Sequence, residues 1–207
     1  MNEEESNDTI IASKEGKTQF SYDDLVYVDI QSNKNAAVGD KFVIFKPLNK
    51  VKHPVTGTVV GRLIRILGIL QLTEQGTEPG IFTARITISF DAATKGSLLT
   101  PYQEPTLLYN SASAGRPSKD ITGYILEVVD ERTINAQTDI VYLDKGKADG
   151  VEPGDRFIIY GKTQDKRYAK TVIGEAQVFL VKQNTATAVV RKSDRDIGRG
   201  DEIESRK

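Results

Sequence analysis

Histidine occurs once in this chain, at His53, and cysteine does not occur at all. Without a thiol there is no disulfide, no thiolate nucleophile and no thiolate metal ligand. A histidine acting as general base needs a nucleophile within reach and an acid to orient it. His53 stands in His53-Pro54-Val55-Thr56-Gly57, and the corresponding loop of the second half, Gln164 to Lys170, has no histidine. The sequence therefore predicts no catalytic residue, no metal ligand and no cofactor site. It predicts instead a hairpin turn where His53, Pro54 and Thr56 touch a partner.

The carboxylates give a similar reading. Asp follows Gly at Gly39-Asp40, Gly154-Asp155 and Gly200-Asp201, and the first half has Ser97 in place of the last Asp. Gly supplies a positive-φ corner and Asp caps a nearby backbone N–H, so turns are expected in preference to cation sites. Asp144-Lys145-Gly146-Lys147-Ala148-Asp149-Gly150 has the outline of a calcium loop. It lacks the alternating oxygen ligands and the closing Glu, so a solvated turn is expected there as well. Neither a phosphate-binding loop nor a dinucleotide fingerprint is present. Lys166-Arg167-Tyr168-Ala169-Lys170 is a short basic stretch in a chain of net charge −1, too little for a nucleic-acid footprint.

The elements that would carry these residues come in two sets. Asp24-Leu25-Val26-Tyr27-Val28-Asp29 returns as Asp139-Ile140-Val141-Tyr142-Leu143-Asp144, an offset of 115 residues. Gly39-Asp40-Lys41-Phe42-Val43-Ile44-Phe45 returns at the same offset as Gly154-Asp155-Arg156-Phe157-Ile158-Ile159-Tyr160. Val60-Gly61 pairs with Ile173-Gly174, Thr83-Ala84 with Thr187-Ala188, and Lys95-Gly96 with Arg199-Gly200. On that alignment the first copy carries about two extra residues near Pro47 to Thr58 and about nine near Leu67 to Ile81.

Short apolar runs punctuated by Gly and Pro, with no helical period, predict an all-β chain: two tandem copies of a small antiparallel β-barrel-like module. Closure would remove exposed sheet edges. The expected boundaries are a disordered tail over residues 1–8, copy one over 9–102, a linker over 103–119 and copy two over 120–207. Leu63 to Leu72 is the most apolar stretch, interrupted by Arg65 and Gly68, and is too short to span a membrane. Surplus apolar length in copy one needs burial. Most of the segment is expected to be core that extends the module's own sheet; at its distal end, Leu67 to Phe82, the alternative is an interface, where Leu67, Ile69, Leu70, Leu72, Ile81 and Phe82 would, with the His53 turn, meet a protein partner. Met1 to Asp8 is acidic and polar and does not read as an export signal.

Val38-Gly39-Asp40 followed by His53-Pro54-Val55-Thr56-Gly57-Thr58-Val59-Val60-Gly61 carries a family resemblance. So do Asp139 to Gly146, Gly150-Val151, Gly154-Asp155 and Asn184-Thr185-Ala186-Thr187-Ala188. From about Thr9 onward the chain resembles the C-terminal region of bacterial lysin-motif (LysM) envelope proteins. These include the type IV pilus secretin-associated protein, whose C-terminal region is similar to the C-terminal domain of flagellar assembly protein T.

The resemblance implies a non-enzymatic periplasmic, cell-envelope component, in which the lysin motif holds peptidoglycan and the C-terminal part serves an outer-membrane secretin or flagellar ring. No lysin motif is visible here; if the full protein has one, it lies before residue 1. The family supplies no catalytic residues. The function expected is thus protein binding: a scaffold docking onto a secretin or similar ring, with no nucleic acid and no membrane span. The alternative is direct peptidoglycan or glycan binding, for which Trp is missing and Tyr102, Tyr109 and Tyr168 are scattered. An enzyme, such as a metal-assisted hydrolase, would show activity abolished by chelation.

Overall fold

The computed structural model describes residues 7–103, 120–129, 140–162 and 169–206. The chain is all-β, and among the described residues there is one 3₁₀ turn, at Lys147–Asp149. The first half contains β1 (Thr9–Ser13), β2 (Gln19–Phe20), β3 (Leu25–Asp29), β4 (Lys41–Lys52), β5 (Val59–Gln75), β6 (Ile81–Ser89), β7 (Ala93–Thr94) and β8 (Leu98–Pro101). The second contains β9 (Thr122–Val129), β10 (Ile140–Leu143), β11 (Arg156–Tyr160), β12 (Val172–Val181), β13 (Ala186–Ser193) and β14 (Glu202–Ser205).

Two antiparallel sheets follow the same path. The order is β1-β3-β6-β5-β4-β8 in the first and β9-β10-β13-β12-β11-β14 in the second. The second closes into a six-stranded barrel, with ladders at every step. The first is ring-like. Its seam between β1 and β8 rests on one strand pair, Thr9 with Leu98, flanked by Leu99 N–H to Asp8 O at 2.8 Å and Ile10 N–H to Ser97 O at 3.0 Å. A small extra sheet of β2 and β7 places Phe20 in the core of the ring.

Period-2 alternation sends one face of each strand inward. The two interiors match position by position. Val26 and Val141, Phe42 and Phe157, Ile44 and Ile159, Leu72 and Val178, and Leu99 and Ile203 are all buried. The turns match too. Gly39 and Gly154 have φ of 100° and 98°, a region that favours glycine. Asp40 Oδ2 accepts the Ala37 N–H at 3.0 Å, and Asp155 Oδ2 accepts the Glu152 N–H at 2.9 Å. Asp201 Oδ2 caps Gly198 N–H at 2.7 Å, where Ser97 Oγ caps Thr94 N–H at 3.0 Å. The Gly-Asp pairs are turn-formers.

The register corrects one sequence alignment. Gly39 N–H bonds to Leu72 O and Leu72 N–H to Asp40 O, just as Gly154 bonds to Val178 and Val178 to Asp155. Gly68 pairs with Ser89 as Gly174 pairs with Ser193. The counterpart of Ile173-Gly174 is therefore Leu67-Gly68 and not Val60-Gly61. The offset falls from 115 to 106 between β4 and β5, so the nine extra residues lengthen the β4–β5 hairpin. Only two lie at the β5–β6 turn, the reverse of the sequence expectation.

The chain divides into two compact units, one of Asn2–Asn49 with Arg62–Pro105, the other of Lys50–Gly61 with Thr106–Lys207. The tip of the long hairpin thus groups with the second barrel. Asp8, assigned by sequence to the tail, is buried. Its Oδ1 accepts Gln31 N–H at 2.7 Å and Ser32 N–H at 2.8 Å, and its Oδ2 accepts the Ser32 hydroxyl. Residues 1–6 of the expected tail and nearly all of the 103–119 linker lie outside the described residues.

Candidate binding surface

The sequence-predicted contact residues separate into two groups. Leu67, Leu70, Leu72 and Phe82 are buried in the core of the first ring. A surface contact is not open to them, and the expectation for these four is corrected. They pack inward because β5 beyond Gly68 is an ordinary ring strand paired with β6, with no surplus length to cover. Ile69 and Ile81 are half-buried. His53 and Pro54 are half-buried and Thr56 is exposed, all three in the tip that groups with the second barrel.

His53 has both ring nitrogens engaged. Nδ1 accepts the Val55 N–H at 3.1 Å and the Thr56 N–H at 3.2 Å. Nε2 lies 3.1 Å from Asp144 Oδ2. Two N–H groups directed at Nδ1 place the proton of the neutral ring on Nε2, which donates to Asp144. The edge of the ring meets Tyr124 at 5.7 Å between centroids. Asp144 Oδ1 accepts the Tyr124 N–H at 2.7 Å. Neither imidazole nitrogen is left to take a proton from a substrate, so the only histidine is a structural pin for the hairpin tip.

The stretch with the outline of a calcium loop is a turn. Asp149 Oδ2 accepts the Gly146 N–H at 3.0 Å, and Lys145 Nζ stands 3.9 Å from Asp144 and 3.8 Å from Asp149. Among the described residues, no three His, Cys, Asp or Glu side chains gather where they could hold a metal ion. No described helix is long and apolar enough to cross a membrane. Most of the basic stretch 166–170, including Tyr168, lies outside the described residues, as does Tyr109.

Two carboxylates depart from the ordinary range. Burial pushes the Asp155 carboxyl up, against the pull of the Glu152 N–H. The Lys17 ammonium, 2.5 Å away, and the Ser21 N–H pull Asp24 down. Both belong to turns.

The two sheets differ on the outer surface of β5 and β6 of the first unit. Ile69 pairs with Ile88, and Phe90 lies two residues further on. Ile88 is 42% and Phe90 69% exposed; further along β5, Ile64 and Ile66 are 46% and 48% exposed. The counterparts in the second sheet are Glu175, Lys192 and Asp194. There Glu175 is bound by Arg156 and Arg206, and Lys192 stands 3.7 Å from Asp194. One backbone thus carries an apolar strip in one copy and paired charges in the other.

Sequence reasoning missed these residues, apart from Ile69. One signal was available: no Asp or Glu occurs between Lys41 and Thr73, a span with six Lys and Arg.

The chain matches no protein-family model and no curated protein.

Proposed function

We propose that this chain is a non-catalytic binding and scaffolding fragment of a periplasmic, peptidoglycan-associated envelope protein. It comprises two tandem copies of one barrel-like module and docks onto an outer-membrane secretin or similar ring assembly. The observation that carries this reading is the exposed apolar pair Ile88 and Phe90 on one copy, against the charged side chains Lys192 and Asp194 at the same positions in the other. Contiguous exposed apolar surface is costly to keep in water and marks interaction sites. At these two positions one fold is apolar and its like is charged, so the apolar pair is not required by the fold. The envelope setting rests on the resemblance alone. In a ring assembly, many weak copies of this contact would act together through multivalency.

The test is capture from solubilised bacterial envelopes, with the whole chain as bait and a variant whose β4–β5 hairpin is shortened by the nine extra residues. Recovery of a ring-forming outer-membrane protein that is lost on shortening supports the reading. Sedimentation with purified sacculi and no protein capture overturns it in favour of direct glycan binding.

A further inference from the structure

We propose that His53 is an acid-operated latch in the tip of the β4–β5 hairpin: when Nδ1 takes up a proton, the Val55 and Thr56 N–H groups are released while the ring stays on Asp144. This goes beyond the binding reading and does not rest on it. In the neutral ring Nε2 carries the proton, and the lone pair of Nδ1 accepts the Val55 N–H at 3.1 Å and the Thr56 N–H at 3.2 Å. A second proton can enter the imidazole only at that lone pair. It turns the acceptor into a donor, and three N–H groups then meet with no acceptor among them. Nothing comparable happens at Nε2, which donates to Asp144 Oδ2 across 3.1 Å in both charge states. A charged donor bonds a carboxylate more strongly than a neutral one. The ring therefore holds its place and the backbone of the turn gives way.

Histidine is the side chain whose ordinary charge change falls between about pH 5 and 8. The His53 side chain is 14% exposed, so it can exchange protons with solvent. The groups around it set the pH of the change. Asp144 favours the imidazolium, and Lys145 Nζ, 3.9 Å from the same Asp144 oxygen, offsets part of that pull. Arg199 donates to the carbonyl of the neighbouring Lys52 at 2.5 Å, and Lys162 Nζ approaches Gly200 beside Pro54, so these cations oppose it. Tyr124 packs against the ring. The ends of the turn are closed separately, by His53 N–H to Thr58 O at 2.7 Å and Gly57 N–H to His53 O at 2.9 Å. The change is thus confined to the backbone from Pro54 to Thr56, which carries the exposed Val55 side chain.

The test is nuclear magnetic resonance on the whole, isotopically labelled chain between about pH 5 and 8. With a single histidine, its carbon-bound ring protons follow the charge without ambiguity. The Val55 and Thr56 amide signals should move with the same midpoint as the ring protons. Their exchange protection, corrected for the intrinsic pH dependence of exchange, should fall about fivefold or more below that midpoint. The Gly57 and Tyr124 amides, and those of β12 and β13, should keep theirs. His53→Asn places a non-titrating side-chain oxygen where it can accept the same two N–H groups, so protection at Val55 and Thr56 should no longer depend on pH. Asp144→Asn keeps an acceptor for the Tyr124 N–H and removes the charge that favours the imidazolium. Ring and amide transitions should then move together to lower pH.

Ring protons that titrate while the Val55 and Thr56 amides stay protected overturn the proposal. A ring unchanged across the whole range does the same, as does a transition that persists in His53→Asn. Loss of protection through β12 and β13 at the same pH, or ring and amide transitions that separate in Asp144→Asn, also overturns it.

Discussion

His53 reaches Asp144 across 3.1 Å, and the same imidazole holds two N–H groups of its own turn on its other nitrogen. The tip of the hairpin is thereby folded around the ring and fixed to one carboxylate within one compact unit. His53→Ala removes the acceptor for Val55 and Thr56 and the donor to Asp144. It is expected to cost about 1 kcal/mol of stability and to speed amide exchange at Val55 and Thr56, while exchange in the barrel strands β12 and β13 is unchanged. Unaltered exchange at the tip would show that the ring does not hold the turn.

Asp155 and Asp40 occupy the same turn position, one buried and the other exposed. Burial raises Asp155. Its folded-state value lies above its unfolded value, so the native state binds its proton more tightly. As pH climbs through the carboxylate range, that proton is lost and stability falls, then stays lower above the folded value. Asp155→Asn keeps an acceptor for the Glu152 N–H and removes the buried charge. Its stability relative to the parent should rise across that window and level off above it. Asp155→Ala leaves the Glu152 N–H without its cap and is expected to cost about 1 kcal/mol. Urea unfolding at a series of pH values reads both.

Asp24 behaves oppositely. The Lys17 hydrogen bond, with help from the Ser21 N–H, lowers it. A depressed carboxyl contributes stability above its unfolded value, and that contribution disappears as pH falls through the folded value. Asp24→Asn should therefore be less stable than the parent at neutral pH and indistinguishable from it in strong acid. A constant difference at all pH values would contradict the assignment.

Two glycines test the duplication. A Cβ at Gly68 would lie 2.2 Å from the Ile88 carbonyl oxygen, and one at Gly174 would lie 2.6 Å from that of Lys192. Both contacts are with backbone on the paired strand, which cannot give way cheaply. Gly68→Ala and Gly174→Ala are each expected to cost about 1–3 kcal/mol, read from thermal or urea midpoints. Gly198, with open space at the Cβ position, should accept Ala within about 0.5 kcal/mol.

Much of the fold was legible because turns and core repeat together. The Gly-Asp corners and the Phe42 and Phe157 strands share one offset. The place of the long insertion was not. Val60-Gly61 and Leu67-Gly68 offer the same apolar-Gly dipeptide. What selects Gly68 is the close approach of a carbonyl twenty residues away in sequence. Placing the surplus at Leu67 to Phe82 in turn made core residues look like contact residues. The partner of His53 was illegible for a related reason, since Asp144 lies 91 positions along the chain. The basic hairpin could have been read from sequence, but a net charge of −1 averaged over the chain concealed it.

On the proposed function, Ile88 and Phe90 of the first copy, and not their charged counterparts Lys192 and Asp194 in the second, meet the partner. A photo-crosslinking residue placed at Ile88, and separately at Lys192, tests it in the whole chain exposed to solubilised bacterial envelopes. The account predicts one ring-forming protein crosslinked from position 88 and none from position 192. Equal crosslinking from both positions, or from position 192 alone, would contradict it.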